Sequence, residues 1–222
     1  MSTPNELTPI RFWATSFYQR LWTDHAAEAP GIIAHLYELK SRETARIASG
    51  VAPAAKSATG LFESNFDLFA SPHPGLAKFA AFAAESVRAV VSHVNGSRIA
   101  PGQLRVTFPD SWFHVTNNGG FHDAHFHGSC SWCGIYYLQA GDSGRGSERG
   151  APNGGNRFYS PLAAGGGYVD YGNQYLDVTY VDPPPQDGLL ILFPSYLLHS
   201  ALPYHGAKDR IVISFNSCTV PA

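Results

Sequence analysis

The chain has 222 residues, of which 44% are hydrophobic, 13% aromatic and only 14% charged, a composition that excludes a protein kept disordered by charge. Its 15 lysines and arginines nearly balance 17 aspartates and glutamates; the formal net charge is -2 and no basic run occurs, which disfavours nucleic acid and membrane surfaces as partners. One sizeable core fits this length, so we predict a single domain over residues 1–222, with helical support at about 28–96 and a β core at about 99–219.

The N-terminus and the cysteines bear on the cellular compartment. Residues 1–9 lack the basic start and apolar run of a signal peptide, and no later stretch is apolar for long enough to span a membrane. The three cysteines are few and odd in number, as is common in reducing compartments, so we expect a cytoplasmic protein. Cys130 and Cys133 form a C-x-x-C pair, which redox and zinc sites also use. Because the following residues resemble a strand, we expect two reduced thiols near a pocket.

Two helices are predicted in the first part of the chain. Apolar residues recur every three to four positions at about 30–46 and, more strongly, at about 74–94. Pro74 stands where a first helical residue tolerates proline, and Asn95-Gly96 is a helix-stop signal. We expect both helices to pack on the outside of a sheet.

From about residue 99 the hydrophobic period changes to two, which indicates strands. Short strands at close spacing favour a mainly β barrel or sandwich. The glycine-rich segment Gly141–Gly167 lacks the context of a phosphate-binding loop, so we interpret it as a lid or surface loop. The predicted strands are Leu104–Phe108, Trp112–Thr116, Ile135–Gln139, Tyr175–Val181, Leu189–Phe193 and Arg210–Ser217.

Histidines are concentrated in a way that suggests a metal site. Four of the ten fall within fourteen residues, and they include the pair His125-x-His127. On an extended strand alternate side chains share a face, so Asp123, His125 and His127 should point the same way. His199 follows a later apolar strand, which can deliver a third ligand to the same barrel mouth. Asp123 is an alternative carboxylate ligand, although a hydrogen bond to a ligand histidine is its more common use.

The final strand gives an orientation for Arg210. Ile211, Ile213 and Phe215 form one apolar face, which leaves Arg210 on the opposite, inward face. A guanidinium that points into a barrel needs a partner, because a buried unpaired charge costs several kcal/mol. The natural partner is a carboxylate held by two hydrogen bonds.

Several blocks of the sequence resemble the iron(II)/2-oxoglutarate oxygenases related to prolyl hydroxylases, over about residues 112–217. The resemblance implies a double-stranded β-helix of the jelly-roll or cupin-like type, with N-terminal helices packed outside. It also implies an iron(II) ion at the mouth and 2-oxoglutarate as cosubstrate. The blocks are His125-x-His127, Gly134–Leu138, Phe193-Pro194-Ser195 with His199, Pro203-Tyr204 with Gly206, and Arg210–Asn216, with a weaker likeness at 9–15 to the family's opening strand.

Site residues follow from the same resemblance, position by position. The wider superfamily has an aspartate where this chain has His127, so an iron ion here would meet three neutral imidazoles. The implied iron ligands are His125, His127 and His199, and the implied contacts to 2-oxoglutarate are Arg210 and Tyr137, with Ser214 and Asn216 as weaker candidates.

The expected reaction is oxidation by O₂ of a small substrate, most simply hydroxylation of a C–H bond in a small molecule or an amino-acid-like compound. Trp112, His114 and Trp132 are candidates for the substrate side of the site. Two alternatives remain open at this point. One is a three-histidine, cupin-like dioxygenase that does not use 2-oxoglutarate, and the other is a non-catalytic metal-binding β-barrel. A homodimer is plausible because small symmetric assemblies are common.

Overall fold

Two antiparallel sheets form the framework of the protein in a computed structural model that describes residues 15–50, 60–144, 152–161 and 179–222. The two sheets meet at an apolar cluster in which Phe158 of the second sheet packs among residues of the first. The mainly β, double-stranded β-helix prediction is confirmed. In spatial order the major sheet is β1 (Tyr18–Leu21), β8 (Leu189–Pro194), β5 (Trp132–Gln139), β10 (Arg210–Pro221), β3 (Leu104–Thr116) and β2 (Leu61–Glu63), and the minor sheet is β4 (Gly120–His125), β9 (His199–Tyr204), β6 (Asn156–Tyr159) and β7 (Tyr180–Val181).

Two long helices cover the outer face of the major sheet, as predicted. Helix α1 spans His25–Ala48 and α2 spans Pro74–Val94, and their buried faces share one core with the outward side chains of the sheet. Helix α1 begins about five residues before the predicted start. Pro30 therefore lies inside α1, where it removes a single donor, while the N–H groups of Ala27 and Glu28 donate to the Asp24 carbonyl and close the first turn. None of the helices in the described ranges is both long and apolar enough to cross a membrane.

A single strand, β3, replaces the two predicted strands at 104–108 and 112–116. Pro109, which has no N–H to donate to a neighbouring strand, lies between the two predicted strands. In the structure the pairing of β3 with β10 shifts between the pairs Asp110↔Asn216 and Thr107↔Cys218. This bulge places one extra residue on β3, so the strand passes through the proline without losing its neighbour.

Alternation along β10 is as the sequence predicts. Ile211, Ile213 and Phe215 enter the core beneath the helices, while Arg210 and Val212 face the space between the sheets. The neighbouring strand β5 has Gly134 opposite Phe215, and a Cβ at that glycine would overlap the Phe215 ring. The glycine thus lets β5 lie directly beside a large aromatic residue.

The remaining predicted segments lie only partly within the described residues, and four strands of the structure were not predicted. Of Tyr175–Val181, residues 175–178 lie outside the described residues, and Tyr180–Val181 forms β7. Residues 145–151 and 162–167 of the glycine-rich segment and 9–14 of the opening segment also lie outside them. The sequence did not predict β1, β2, β6 and β9. Strand β9 contains Pro203 and the small residues Ser200 and Ala201, which are not typical of strands, so its sequence does not indicate a strand.

Candidate active site

Three histidines converge between the sheets. His125 ends β4 and faces His199, which begins β9, and their ring centroids are 4.3 Å apart. His127 lies two residues beyond β4, where its backbone N–H donates to the Ser195 carbonyl at 3.0 Å. Its ring is 5.0 Å from that of His125 and 5.3 Å from that of His199. One ligand atom from each of the three lies within 4.8 Å of the others, which suits a shared metal ion.

Backbone carbonyls fix the tautomer of two of these rings. Nδ1 of His125 lies 2.7 Å from the Asp123 carbonyl oxygen, and Nδ1 of His199 lies 2.9 Å from the Leu197 carbonyl oxygen. A carbonyl oxygen can only accept, so each Nδ1 carries the hydrogen. The lone pair of each Nε2 is thereby left for a metal ion, an arrangement common for metal-binding histidines.

Burial also keeps the rings neutral. Burial, together with repulsion from the neighbouring histidines, lowers the pKa of His127 to about 4 and that of His199 to about 3, and burial is the larger cause in both. The pKa of His125 is lowered for the same two reasons. Neutral imidazole is the form that binds a metal, so the cluster is ready to do so at neutral pH.

These pKa values predict that the metal-free protein loses stability in mild acid. In the unfolded chain a histidine takes up a proton near pH 6.5, whereas His199 in the fold does not until about pH 3, so acidification favours the unfolded state between those values. At pH 5 the loss attributable to His199 is at most about 2 kcal/mol. Urea unfolding at pH 7.5 and pH 5 measures it, and His199→Ala should show a smaller difference between the two. An equal difference in the variant would contradict the expectation.

Asp123 does not share a face with His125, contrary to the predicted alternation. The pairing of β4 with β9 runs from His122↔Ala201 to His125↔His199, so β4 contains one residue more than β9 in this stretch. This bulge turns His122 toward His125, with ring centroids 4.3 Å apart. The Asp123 side chain is exposed, and its carboxylate is absent from both groups of possible metal ligands found in the described residues.

Arg210 lies deep in the same space, with 1% of its surface exposed. One terminal nitrogen donates to Oδ1 of Asn156 at 2.7 Å, and the same oxygen accepts from the hydroxyl of Tyr137 at 2.8 Å. Arg210 Nε is buried without a hydrogen-bond partner. None of the ion pairs in the described part of the chain includes Arg210. The pocket thus holds a buried positive charge, an unused donor and a tyrosine hydroxyl, all suited to a carboxylate.

The two weaker candidates on β10 lie at different depths. Ser214 is buried and lines the inner cavity together with Arg210. Asn216 lies toward the opening, where its amide nitrogen donates to Asp110 at 3.0 Å and its oxygen accepts from the Cys133 thiol at 3.3 Å. Cys133 also lies 3.6 Å from Cys130, measured between the sulfur atoms, and burial raises the pKa of both thiols. These are two free thiols beside the pocket, as expected.

An outer cavity of about 430 Å³ opens on the histidine cluster. Trp112 and His114 line it, as proposed for the substrate side. Trp132 does not, because alternation along β5 sends it to the outer face, where it packs against Tyr18. Asn156 was not anticipated from the sequence, since it lies in a strand of four residues that is too short to show a period.

Comparison with known families decides the class of this site. Residues 110–216 match the model of the family described as "Putative 2OG-Fe(II) oxygenase", and that segment contains the three histidines and Arg210. The segment that contains the candidate site is therefore that of an iron(II)- and 2-oxoglutarate-dependent oxygenase. The family match therefore disfavours a three-histidine enzyme that works without 2-oxoglutarate. A comparison of this oxygenase with curated proteins gave no significant sequence match.

Solved structures share the fold of the oxygenase at low sequence identity. The 2-oxoglutarate-dependent epimerase SnoN from nogalamycin biosynthesis is 12% identical, with a TM-score of 0.57 over 93% of this chain and 79% of that one. HygX from Streptomyces hygroscopicus, solved with nickel, 2-oxoglutarate and hygromycin B, is 13% identical, with a TM-score of 0.57 over 92% and 83%. A Pseudomonas putida prolyl-4-hydroxylase is 16% identical, with a TM-score of 0.51 over 91% and 92%. At these identities the likeness shows a shared fold.

Proposed function

We propose that this oxygenase hydroxylates a C–H bond of a small molecule or an amino-acid-like substrate. The observation that carries the proposal is the buried Arg210 guanidinium, with an unpartnered Nε, in the same inner cavity as the three histidines. A buried cation beside a metal-ligand cluster fits a cosubstrate that is anionic at one end and chelates metal at the other.

The iron(II) ion is assigned to His125, His127 and His199. Their neutral rings and the carbonyl-fixed tautomers of His125 and His199 favour metal binding, and three protein ligands leave positions for other ligands. The ion, when bound, supplies the oxidising chemistry together with O₂ and 2-oxoglutarate. The protein's own residues orient the reactants and limit the access of water.

Arg210 and Tyr137 are assigned to the 5-carboxylate of 2-oxoglutarate. Both now donate to the single Asn156 Oδ1, which accepts the hydrogen bonds that a carboxylate oxygen would accept. The inner cavity measures about 30 Å³, room for only one or two water molecules. Cosubstrate binding therefore requires the Asn156 side chain to move aside, and the carboxylate then takes its place.

The substrate is assigned to the outer cavity, whose volume of about 430 Å³ is typical of small-molecule sites. Asp110 places a carboxylate on its wall, while Trp112 and Phe66 give it an apolar side. A carboxylate beside an aromatic surface suits an ammonium group on a compact carbon skeleton. This chemistry supports an amino-acid-like substrate.

We also propose that residues 1–222 form one oxygenase domain. Helices α1 and α2 share a continuous core with the major sheet, which includes Phe79 of α2 and Ile213 of β10. Neither helix would keep its apolar face buried if the sheet were absent. We therefore interpret the helices and the β core as one folding unit.

A weak visible absorption band should appear when 2-oxoglutarate is added to the anaerobic iron(II) protein. Charge transfer between iron and 2-oxoglutarate requires that the cosubstrate be bound directly to the iron, so the band reports the proposed arrangement. The measurement is an anaerobic absorption titration. The matched control is the zinc(II) protein, which should give no band because its d-shell is full. Iron that binds without giving a band at saturating 2-oxoglutarate would contradict the proposal.

A further inference from the structure

We propose that Glu63, His114 and His122 form a second divalent-metal site beside the proposed iron site. This site is separate from the proposed function and does not depend on it. Glu63 on β2 faces His114 on β3 in the antiparallel pairing, so the two side chains lie on the same face of the major sheet. His122 reaches them from β4 of the minor sheet, where the bulge has turned it inward.

The distances within this group suit a shared ion. Glu63 Oε2 lies 2.9 Å from Nε2 of His114 and 3.8 Å from Nε2 of His122. Oxygen and nitrogen ligands bind zinc-like ions at about 2.1 Å, so two atoms that share one ion are at most about 4.2 Å apart. Both distances fall below that limit, and one ligand atom from each residue lies within 4.8 Å of the others.

The tautomer of His122 also favours a ligand role. Its Nδ1 donates at 3.2 Å to the Asp123 carbonyl, the same oxygen that orients His125. This leaves Nε2 of His122 directed toward Glu63. One backbone carbonyl at the bulge therefore orients a histidine of each group. In the absence of metal, the Nε2–H of His114 donates to Glu63, and a bound ion takes the place of that proton, which the ring then carries on Nδ1.

Charge and burial indicate which ions would bind. The side chains of Glu63 and His114 are each 12% exposed and that of His122 is 32% exposed, so the site is sheltered but reachable from the outer cavity. Two imidazoles and one carboxylate favour zinc, cobalt, nickel or iron over magnesium or calcium. Glu63 adds a negative charge that the three-histidine group lacks and so lessens the repulsion between two neighbouring dications. The second ion should still bind more weakly than the first.

Binding of cobalt(II) alone to chelator-treated protein tests the proposal. Cobalt bound per chain is measured by equilibrium dialysis with metal analysis, and the visible d–d spectrum shows how many environments exist. The full chain should bind two ions with different affinities. Glu63→Gln and His122→Ala should each bind one, and His199→Ala should keep the other. Asp110→Asn is the matched control, since it removes one carboxylate from the wall of the same cavity and should still bind two.

Each contrary result has a distinct meaning. A single ion that is lost in His199→Ala and kept in Glu63→Gln would overturn the second site and leave the proposed function intact. A single ion that is lost in Glu63→Gln and kept in His199→Ala would instead overturn the iron assignment. If Asp110→Asn loses an ion as Glu63→Gln does, the ion is held by the overall negative charge of the cavity and not by coordination to Glu63. That result would overturn the second site. Thermal unfolding of each variant identifies any that fails to fold.

Discussion

Arg210→Ala is expected to weaken 2-oxoglutarate binding by about 2–4 kcal/mol, or roughly 30- to 700-fold in Kd, while iron content stays unchanged. The guanidinium is buried and makes no ion pair within the described ranges, so the variant leaves no protein carboxylate unpaired. Removal of the guanidinium should therefore weaken ligand binding and not an interaction within the protein. Tyr137 remains to donate a single neutral hydrogen bond.

Calorimetric titration of the anaerobic iron(II) protein measures this effect, with metal analysis on the same sample. Arg210→Lys is the matched control, because it keeps the charge and loses the planar fork that can hold a carboxylate with two hydrogen bonds. Its affinity should lie between those of the wild type and Arg210→Ala. An unchanged Kd in Arg210→Ala would remove the carboxylate assignment. A fall in iron content would instead indicate that Arg210 supports the histidine cluster.

The orientation of Arg210 could be predicted from the sequence because β10 is regular. It pairs with β3 in unbroken register from Arg210 to Asn216, so a period of two holds across the whole apolar stretch. Large residues on the other face, such as Phe215, fix which side meets the helices. Where register is continuous and one face is strongly apolar, the sequence alone is sufficient to predict which face of the strand a side chain lies on.

The same rule failed at β4 because one residue is inserted there. The bulge between His122 and His125 reverses the face of every residue on one side of it, and no residue in this short, polar strand shows that the insertion is present. Asn156 and Glu63 were not predicted as site residues, for a related reason. They lie in strands of four and three residues, and their importance arises from contacts with distant parts of the chain.

His127→Ala should sharply reduce iron occupancy or turnover, and Asp123→Asn should keep the metal. The substitution at His127 removes the ring alone, since the backbone N–H that bonds to the Ser195 carbonyl is retained. Asp123 orients His125 and His122 through its carbonyl oxygen, which its asparagine variant also has. The loss in Asp123→Asn should therefore stay at or below the ~10–100-fold typical of groups that support a ligand. Metal analysis after dialysis measures both.

His127→Asp is the sharper test, because it restores the two-histidine, one-carboxylate set found in the wider superfamily. The carboxylate would lie beside His125 and His199, whose carbonyl-fixed tautomers do not depend on residue 127. Iron should therefore still bind, and the visible band with 2-oxoglutarate should still form, even where substrate oxidation is uncoupled from consumption of the cosubstrate. The added negative charge should weaken the dianionic cosubstrate relative to the wild type. A crystal structure with His127 turned away from the metal and the Asp123 carboxylate bound to it would overturn this assignment.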